Sequence, residues 1–478
     1  MHLKMPHVVP IPEKDVFKRP REVYEKALAD HGPVVAVKRK GRLEFIVDDT
    51  LTHEVLTRND IFSFEEGTAY VLNLHIFAKF FKNFFLEIDE LVRNVISSRM
   101  PLITELVSSV FMKHANKLLS DSLANFSAEK ERLYVDALNY THRSISEAMA
   151  LVTLGPQFTH EKDLQVIEKV AHDMAVVTGI YQNTSWFGTN CPNIWRLLTW
   201  TKILFTTIPL YYATIGLQVW RKFQCTRYNA RDAEENPELH RGSILDYLAH
   251  KHANAIDGKV GIFGFFHIMT LVLGIIFASV HQTASIAVWI LYELAARPEY
   301  IPRIRNEIFE IAGVDWNSEA TGLSYEDLQN ATRLDSFVRE VMRTKGDTLS
   351  TCRLTTRDTN IGGYTIPKGS LVIPLASLSH MSTKYHGTDA EVFNGKRWIG
   401  TGKQAVMIND TYFPFGLGRW ACPGRVLAVA EIKMIVMSII CQARPVLKDG
   451  IYNVVDPLNV TSVAPKGEIT LIPYTKCL

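Results

Sequence analysis

Phe413-Pro414-Phe415-Gly416-Leu417-Gly418-Arg419-Trp420-Ala421-Cys422-Pro423-Gly424-Arg425 is the stretch that decides the reading of this chain. Glycines at 416, 418 and 424 let the backbone take tight, crowded conformations closed to other residues. One cysteine sits among them, directly before a helix expected from about Pro423 to Gln442, with Pro423 at a tolerated first-turn position. The unpaired N–H groups and positive dipole of a helix amino terminus favour a thiolate over a thiol. A lone buried cysteine is ordinarily just a small hydrophobe. On this loop it offers a charged ligand that can approach a flat, bulky metal cofactor closely.

The rest of the composition excludes more than it selects. Hydrophobic residues make up 47% of the 478 and charged residues 21%, which suits a globular protein with a sizeable core. The net charge of +2 gives no reason to expect nucleic acid as a partner. The six cysteines (Cys191, Cys225, Cys352, Cys422, Cys441 and Cys477) lack CxxC pairs and finger spacing. That argues against a disulfide framework and a structural zinc site, and for reduced thiols in a cytosol-facing protein. Sequons at Asn125, Asn139, Asn183, Asn330, Asn409 and Asn459 read as chance matches. Residues 1–40 hold no signal peptide and no apolar run that spans a bilayer, so no N-terminal membrane anchor is expected. Any membrane contact then comes from elsewhere in the chain.

No internal repeat, low-complexity tract or interdomain linker is visible, so residues 1–478 are expected to form a single domain with a short extension over about residues 1–17. Val34–Val37, the turn Lys40–Arg42 and Leu43–Val47 read as a strand pair. Residues 50–345 are mainly helical in pattern, with apolar residues at helical spacing over Leu86–Leu106, Glu161–Val177, Ile244–His252 and Val260–Ala296. After residue 350 short strands follow, as in Asn360–Ile366. The expected class is mainly α with small β-sheets. Val260–Leu294 is long enough to cross a membrane and carries no charge until Glu293. Its His267, Thr270, Gly274, Ala278, His281 and Ser285 make a small and polar stripe, which favours a buried central helix. Ile203–Trp220 is apolar and aromatic, and fits either core or a segment dipping into a membrane surface.

A second motif narrows the function. Glu340-Val341-Met342-Arg343 places a charge pair on one helical face. With the cysteine loop it resembles the cytochrome P-450 superfamily, particularly its fungal secondary-metabolism members. The loop matches that family's signature at Phe415, Gly418, Cys422 and Gly424. Glu340 and Arg343 resemble its Glu-x-x-Arg, and Arg397 in Phe393–Trp398 the third partner of a buried structural network. Arg353 looks like the family's strand arginine that pairs with a heme propionate, and Arg93 is a weaker candidate for the same task. The likeness is strong over residues 260–478 and weak before them.

The resemblance implies a cytochrome P-450-like fold, with a long central helix over heme b and the cysteine loop before the last long helix. It implies Cys422 as axial ligand to iron, Phe415 packed near the sulfur, and Ala278 beside the cofactor. Two departures matter. Trp420 stands where arginine or histidine often binds a propionate, and Arg419 is the neighbour able to compensate. In the central helix the acid–alcohol pair that delivers protons is replaced by His281-Gln282, with Thr283 about 100° further round. For His281 a structural role and a proton relay both fit its chemistry. Gln282 can hold a water but is a poor proton donor. Monooxygenation through that water is therefore expected, with oxidative coupling, desaturation or peroxide rearrangement as the alternative.

The implied partners are O2, a hydrophobic small-molecule substrate and a separate NADPH-dependent flavoprotein reductase, since the chain shows no GxGxxG of its own. Arg419, Arg425 and Lys433 are candidates for docking the reductase. Candidate pocket residues by analogy are Tyr70, Phe77, Phe81, Val280, Leu349 and Val463. The implied location is the cytosolic face of the endoplasmic reticulum membrane, held peripherally, or the cytoplasm. A non-catalytic heme sensor would keep the same ligand. A membrane transporter lacks a convincing set of further spans, and a nucleophilic Cys422 lacks an evident partnering base.

Overall fold

The computed structural model describes residues 4–39, 41–75, 81, 83–129, 134–178, 187, 190–229, 242–313 and 322–474. Two compact units result, each assembled from separate stretches of chain. The first comprises Met1–Lys82, Thr332–Arg425 and Ile451–Gly467; the second comprises Asn83–Ala331, Val426–Gly450 and Glu468–Leu478.

The first unit is built on strands β1 (His7–Val9), β2 (Val34–Arg39), β3 (Arg42–Val47), β4 (Phe62–Ser63), β5 (Arg353–Thr355), β6 (Thr359–Ile361), β7 (Tyr364–Ile366) and β8 (Leu371–Pro374). One six-stranded sheet has the order β1-β2-β3-β8-β5-β4, and β6-β7 is a separate hairpin. The expected strand pair is β2–β3, antiparallel with Val34 opposite Val47. Its alternate faces feed two cores: Val35, Val37 and Ile46 pack with Tyr24, Leu349 and Leu375. Val34, Ala36, Phe45 and Val47 pack with Phe62, Ile366 and Val372. The β6–β7 turn uses Gly362 and Gly363, both at positive φ, where other residues are strained. The expected extension over about residues 1–17 is tied to the sheet where it is described. β1 pairs parallel with β2, and Val16 is fully buried.

The helix Thr332–Thr344 buries Leu334, Phe337, Val338 and Val341, the spacing of one helical face. Its polar residues Asp335, Arg339, Glu340 and Arg343 are buried too, and each needs a partner.

The second unit is mainly helical, with one small sheet of β9 (Ala443–Leu447) and β10 (Ile469–Pro473), paired antiparallel. The central helix spans Ile262–Ala296 without a break. From Val280 to Leu294 every residue but Gln282 is buried, while Phe263 near its start is 88% exposed. Gly274 has a packing reason: a Cβ there would lie 2.6 Å from Phe84 and 2.7 Å from Ile88. It lets the helix Phe84–Leu91 seat against the central one, so Phe84 belongs to that packing.

The expected helix Leu86–Leu106 is a relay of shorter pieces. Phe84–Leu91 passes through a π turn at Val92–Ile96 and a 3₁₀ turn at Ser97–Arg99 into a helix running on to Glu129. The stretch Pro192–Cys225 is likewise helical, with π turns at Ile203–Thr207 and Tyr212–Gly216. Pro209 follows the first of these and donates no N–H, which loosens the regular ladder there. The last long helix begins at Arg425, two residues later than expected, and ends at Ile440. Among the described residues, three helical stretches are long and apolar enough to cross a membrane: Phe84–Ser122, Asn193–Cys225 and Ile262–Ala296.

Candidate active site

In the first unit the cysteine loop folds back on itself. The Cys422 N–H donates to the Phe415 carbonyl at 2.7 Å, and the Gly416 N–H to the Phe413 carbonyl at 2.9 Å. Gly416 and Gly418 carry positive φ, and Gly424 does not. A Cβ on Gly418 would lie 3.0 Å from the Leu56 carbonyl oxygen and 3.2 Å from Thr57 Cα. This glycine therefore fixes how closely the loop meets the helix Asp49–Thr57. The Phe413 N–H donates to His380 Nε2 at 3.0 Å. Burial drives His380 down to about 3, so a neutral acceptor holds the loop's entry. Cys422 is half-buried, its carbonyl accepts from Arg425 Nη1 at 3.0 Å, and the helix starts three residues beyond it.

Arg353 lies on β5 and is fully buried. Its guanidinium reaches the Thr351 hydroxyl at 3.1 Å and the carbonyls of Cys352 and Leu56 at 3.2 and 3.4 Å. No carboxylate of the described residues pairs with it, and its Nε has no acceptor. Burial pulls its pKa down to about 10. A buried cation held only by neutral oxygens is costly, and it fits an anionic group such as a propionate. The guanidinium also lies 5.1 Å over the Phe64 ring. Trp420 stacks on the same ring at 5.1 Å and 18°, and Arg419 lies 5.1 Å over Trp420. Trp420 therefore joins the arginine cluster through aromatic faces. Phe64 went unnoticed in the sequence, where nothing distinguishes it from a core phenylalanine.

Glu340, Arg343 and Arg397 come together. Arg343 donates to both Glu340 oxygens at 2.9 and 2.8 Å, and Arg397 Nε reaches Glu340 at 3.1 Å. The Trp398 indole and the Asn394 N–H, each at 3.0 Å, complete the carboxylate's shell. Burial opposes ionisation of Glu340, but Arg343 outweighs it and holds the carboxyl below its usual range. Arg397 continues to Asp389 at 2.8 Å. A carboxylate this fully satisfied fixes the segment leading toward the loop.

In the second unit the central helix separates its polar residues. Ala278 and Gln282, one turn apart, are exposed, whereas Val280, His281 and Thr283 are buried. Gln282 thus occupies the open stripe, and Thr283 is turned into the unit in a helix with no local bulge. His281 donates an N–H to the Ala171 carbonyl. Its ring meets that of His142 edge-on, with centroids 5.0 Å apart at 89°. Burial is the main force lowering the pKa of His281, with His172 adding to it. Arg93 is paired with Asp89 at 2.8 Å, so its charge already has a partner.

The pocket candidates differ in their exposure. Tyr70 is exposed beneath the Arg42 guanidinium, 5.5 Å from its ring. Leu349 is packed into the sheet core with Leu375 and Leu458. Phe81 and Val463 are half-buried, Val280 is buried, and Phe77 lies outside the described residues. Lys433 is no surface docking residue: it is buried, and its Nζ donates to the Leu328 carbonyl at 2.8 Å.

A cysteine displayed by a glycine-shaped loop, with a buried guanidinium awaiting an anion, suits a thiolate-ligated, anionic metal cofactor. That is the class the site defines. The chain belongs to the cytochrome P-450 family, whose model matches residues 3–444. It is 32% identical over 205 residues to cytochrome P-450 monooxygenase paxQ of Penicillium paxilli, covering 41% of this chain and 39% of that protein. It is 32% identical to beta-amyrin 11-oxidase of Glycyrrhiza uralensis over 35% of this chain and 33% of that one. It is 30% identical to a cytochrome P-450 monooxygenase of Gibberella fujikuroi over 36% and 37%. These matches span well under half of each relative's length. A solved zebrafish cytochrome P-450, described with progesterone, shares the fold with a TM-score of 0.68 at 16% identity, over 95% of this chain and 99% of that one.

Proposed function

We propose that the chain is a heme-thiolate monooxygenase that inserts one oxygen atom from O2 into a hydrophobic small molecule of secondary metabolism. The observation that carries this reading is the Cys422 loop together with the buried, carboxylate-free Arg353. The family match runs through both units, which supports treating residues 1–478 as one oxygenase.

Heme b bound by the Cys422 thiolate would supply O–O cleavage and oxygen transfer. The chain's own residues have separate tasks. The Phe415 carbonyl fixes the Cys422 backbone, Arg353 offers its charge to a propionate, and Gln282 holds a water on the open stripe of the central helix. His281 exchanges protons at its imidazole nitrogen. Electrons come from a separate NADPH-dependent flavoprotein reductase. In a coupled assay, Gln282→Thr should retain or raise product formed per NADPH; a loss of about tenfold or more with heme retained would rule out the water relay.

The burial of Thr283 supports a second reading. With the Thr283 hydroxyl turned into the unit, the alternative set of oxidative coupling, desaturation or peroxide rearrangement stays open, and peroxide rearrangement fits best because it takes up no protons. Product mass separates the two: one added oxygen supports the first, and an unchanged or hydrogen-depleted mass the second.

Peripheral attachment to the cytosolic face of the endoplasmic reticulum is supported by the Pro192–Cys225 stretch. Leu197, Leu198, Leu204 and Phe205 are 55–77% exposed there, beside Arg196 and Lys202. An exposed apolar row flanked by basic residues suits the headgroup boundary. Vesicle co-sedimentation should fall severalfold in Leu197→Ser/Phe205→Ser, and unchanged binding would place the contact elsewhere.

A further inference from the structure

The helix Phe64–Val71 meets Arg353 twice. Strand β4, which leads into it, pairs antiparallel with β5, Ser63 opposite Leu354. Phe64 therefore opens the helix beside Arg353. The Ser63 hydroxyl caps that start by accepting the Glu66 N–H at 3.2 Å. One turn on, Gly67 is buried against the strand. A Cβ there would lie 3.0 Å from the Leu354 nitrogen and 3.1 Å from both the Cα and the carbonyl carbon of Arg353. All three are backbone atoms, so the strand cannot swing aside as a side chain would. Phe64 and Gly67 are three residues apart and share a helix face. Gly67 thus fits the backbone of Arg353, while the Phe64 ring takes its guanidinium at 5.1 Å. The same ring stacks on Trp420 at 5.1 Å, and Arg419 lies 5.1 Å over Trp420. This series passes from an exposed Arg419 through half-buried Trp420 and Phe64 to a fully buried Arg353.

We propose that Phe64 and Gly67 are positioning residues for anion binding by Arg353. Gly67 sets how closely the helix approaches β5, and Phe64 holds the guanidinium by its ring face and keeps water off it. Attraction between a cation and a ring strengthens as water is removed. A guanidinium stacked on a ring still presents its N–H groups to oxygen acceptors. One already held in place also loses less freedom when a carboxylate arrives. The inference rests on the reading of Arg353 as the partner of a heme propionate.

The test uses the heme-loaded full chain and reads the rate at which heme passes to apomyoglobin. Phe64→Leu keeps the apolar bulk without a ring face and should speed transfer about tenfold. Phe64→Tyr restores the ring and should stay within about twofold of the parent. On an Arg353→Met background, Phe64→Leu should change the rate by less than about twofold, because it acts through the missing guanidinium. Gly67→Ala should speed transfer in the parent and not in Arg353→Met, and it carries the same test should Phe64→Leu fail to fold. Equal acceleration on both backgrounds, or a Phe64→Tyr rate as fast as that of Phe64→Leu, overturns the positioning role. If Arg353→Met releases heme at the parent's rate, the propionate reading falls and takes the inference with it. If Arg353→Met releases heme faster while Phe64→Leu and Gly67→Ala match the parent, the inference alone falls.

Discussion

Arg353 carries a full charge into a place where its acceptors are a hydroxyl and two carbonyls. A protein keeps such a residue against its own stability only if something anionic meets it. Replacing it with methionine should therefore act in opposite directions on two measurements. The heme-free protein should gain about 1–3 kcal/mol in urea unfolding, while heme retention on gel filtration should fall severalfold. Loss of stability in the heme-free form would mean that the carbonyls satisfy the charge. At this scale the sequence was legible where a motif fixes a residue, as at Cys422, Glu340 and Arg343. It was silent on Phe64, because a ring that bridges Arg353 and Trp420 has no local pattern to betray it. It was also ambiguous at His281–Gln282–Thr283, where only the helix's rotation decides which side chain is buried.

Between elements, carboxylates tie separate segments together. Asp347, just beyond the helix Thr332–Thr344, accepts the Thr461 N–H at 2.8 Å and hydroxyl at 2.7 Å. Thr348 donates to the Pro457 carbonyl at 2.9 Å. The clamp thereby orders the segments that carry Leu349 and Val463. Burial raises the Asp347 carboxyl to about 6, the Thr461 bonds opposing it and the nearby Asp456 adding to it. A raised carboxyl binds its proton more tightly folded than unfolded. The cost of ionising it thus grows as pH climbs from about 4 to 6 and is constant above that. The stability of Asp347→Asn relative to the parent should accordingly rise by about 1–2 kcal/mol between pH 4 and 7. A pH-independent difference in urea midpoints would show that the clamp does not shift this proton. Strand pairs joined by short turns were readable here, as with β2–β3 and β6–β7. The clamp was not, because residues 347 and 461 are brought together only by the tertiary fold.

For the whole molecule, the mainly helical class with small sheets was legible from periodicity, and the long central helix almost to the residue. The division into two units sewn from distant stretches was not. β3 pairs in parallel with β8 across more than three hundred residues, and side-chain alternation names the strands without naming their partners. The same limit hid β1, whose three residues give no periodic signal. Function was legible to the extent that one loop carries it, and the central claim is that Cys422 ligates heme iron as a thiolate. The absorbance spectrum of the reduced, heme-loaded protein under carbon monoxide tests this most directly. The account predicts a strongly red-shifted, thiolate-type Soret band that is lost in Cys422→Ala. A folded, heme-loaded protein with an unshifted band, or a shifted band that survives Cys422→Ala, would contradict it.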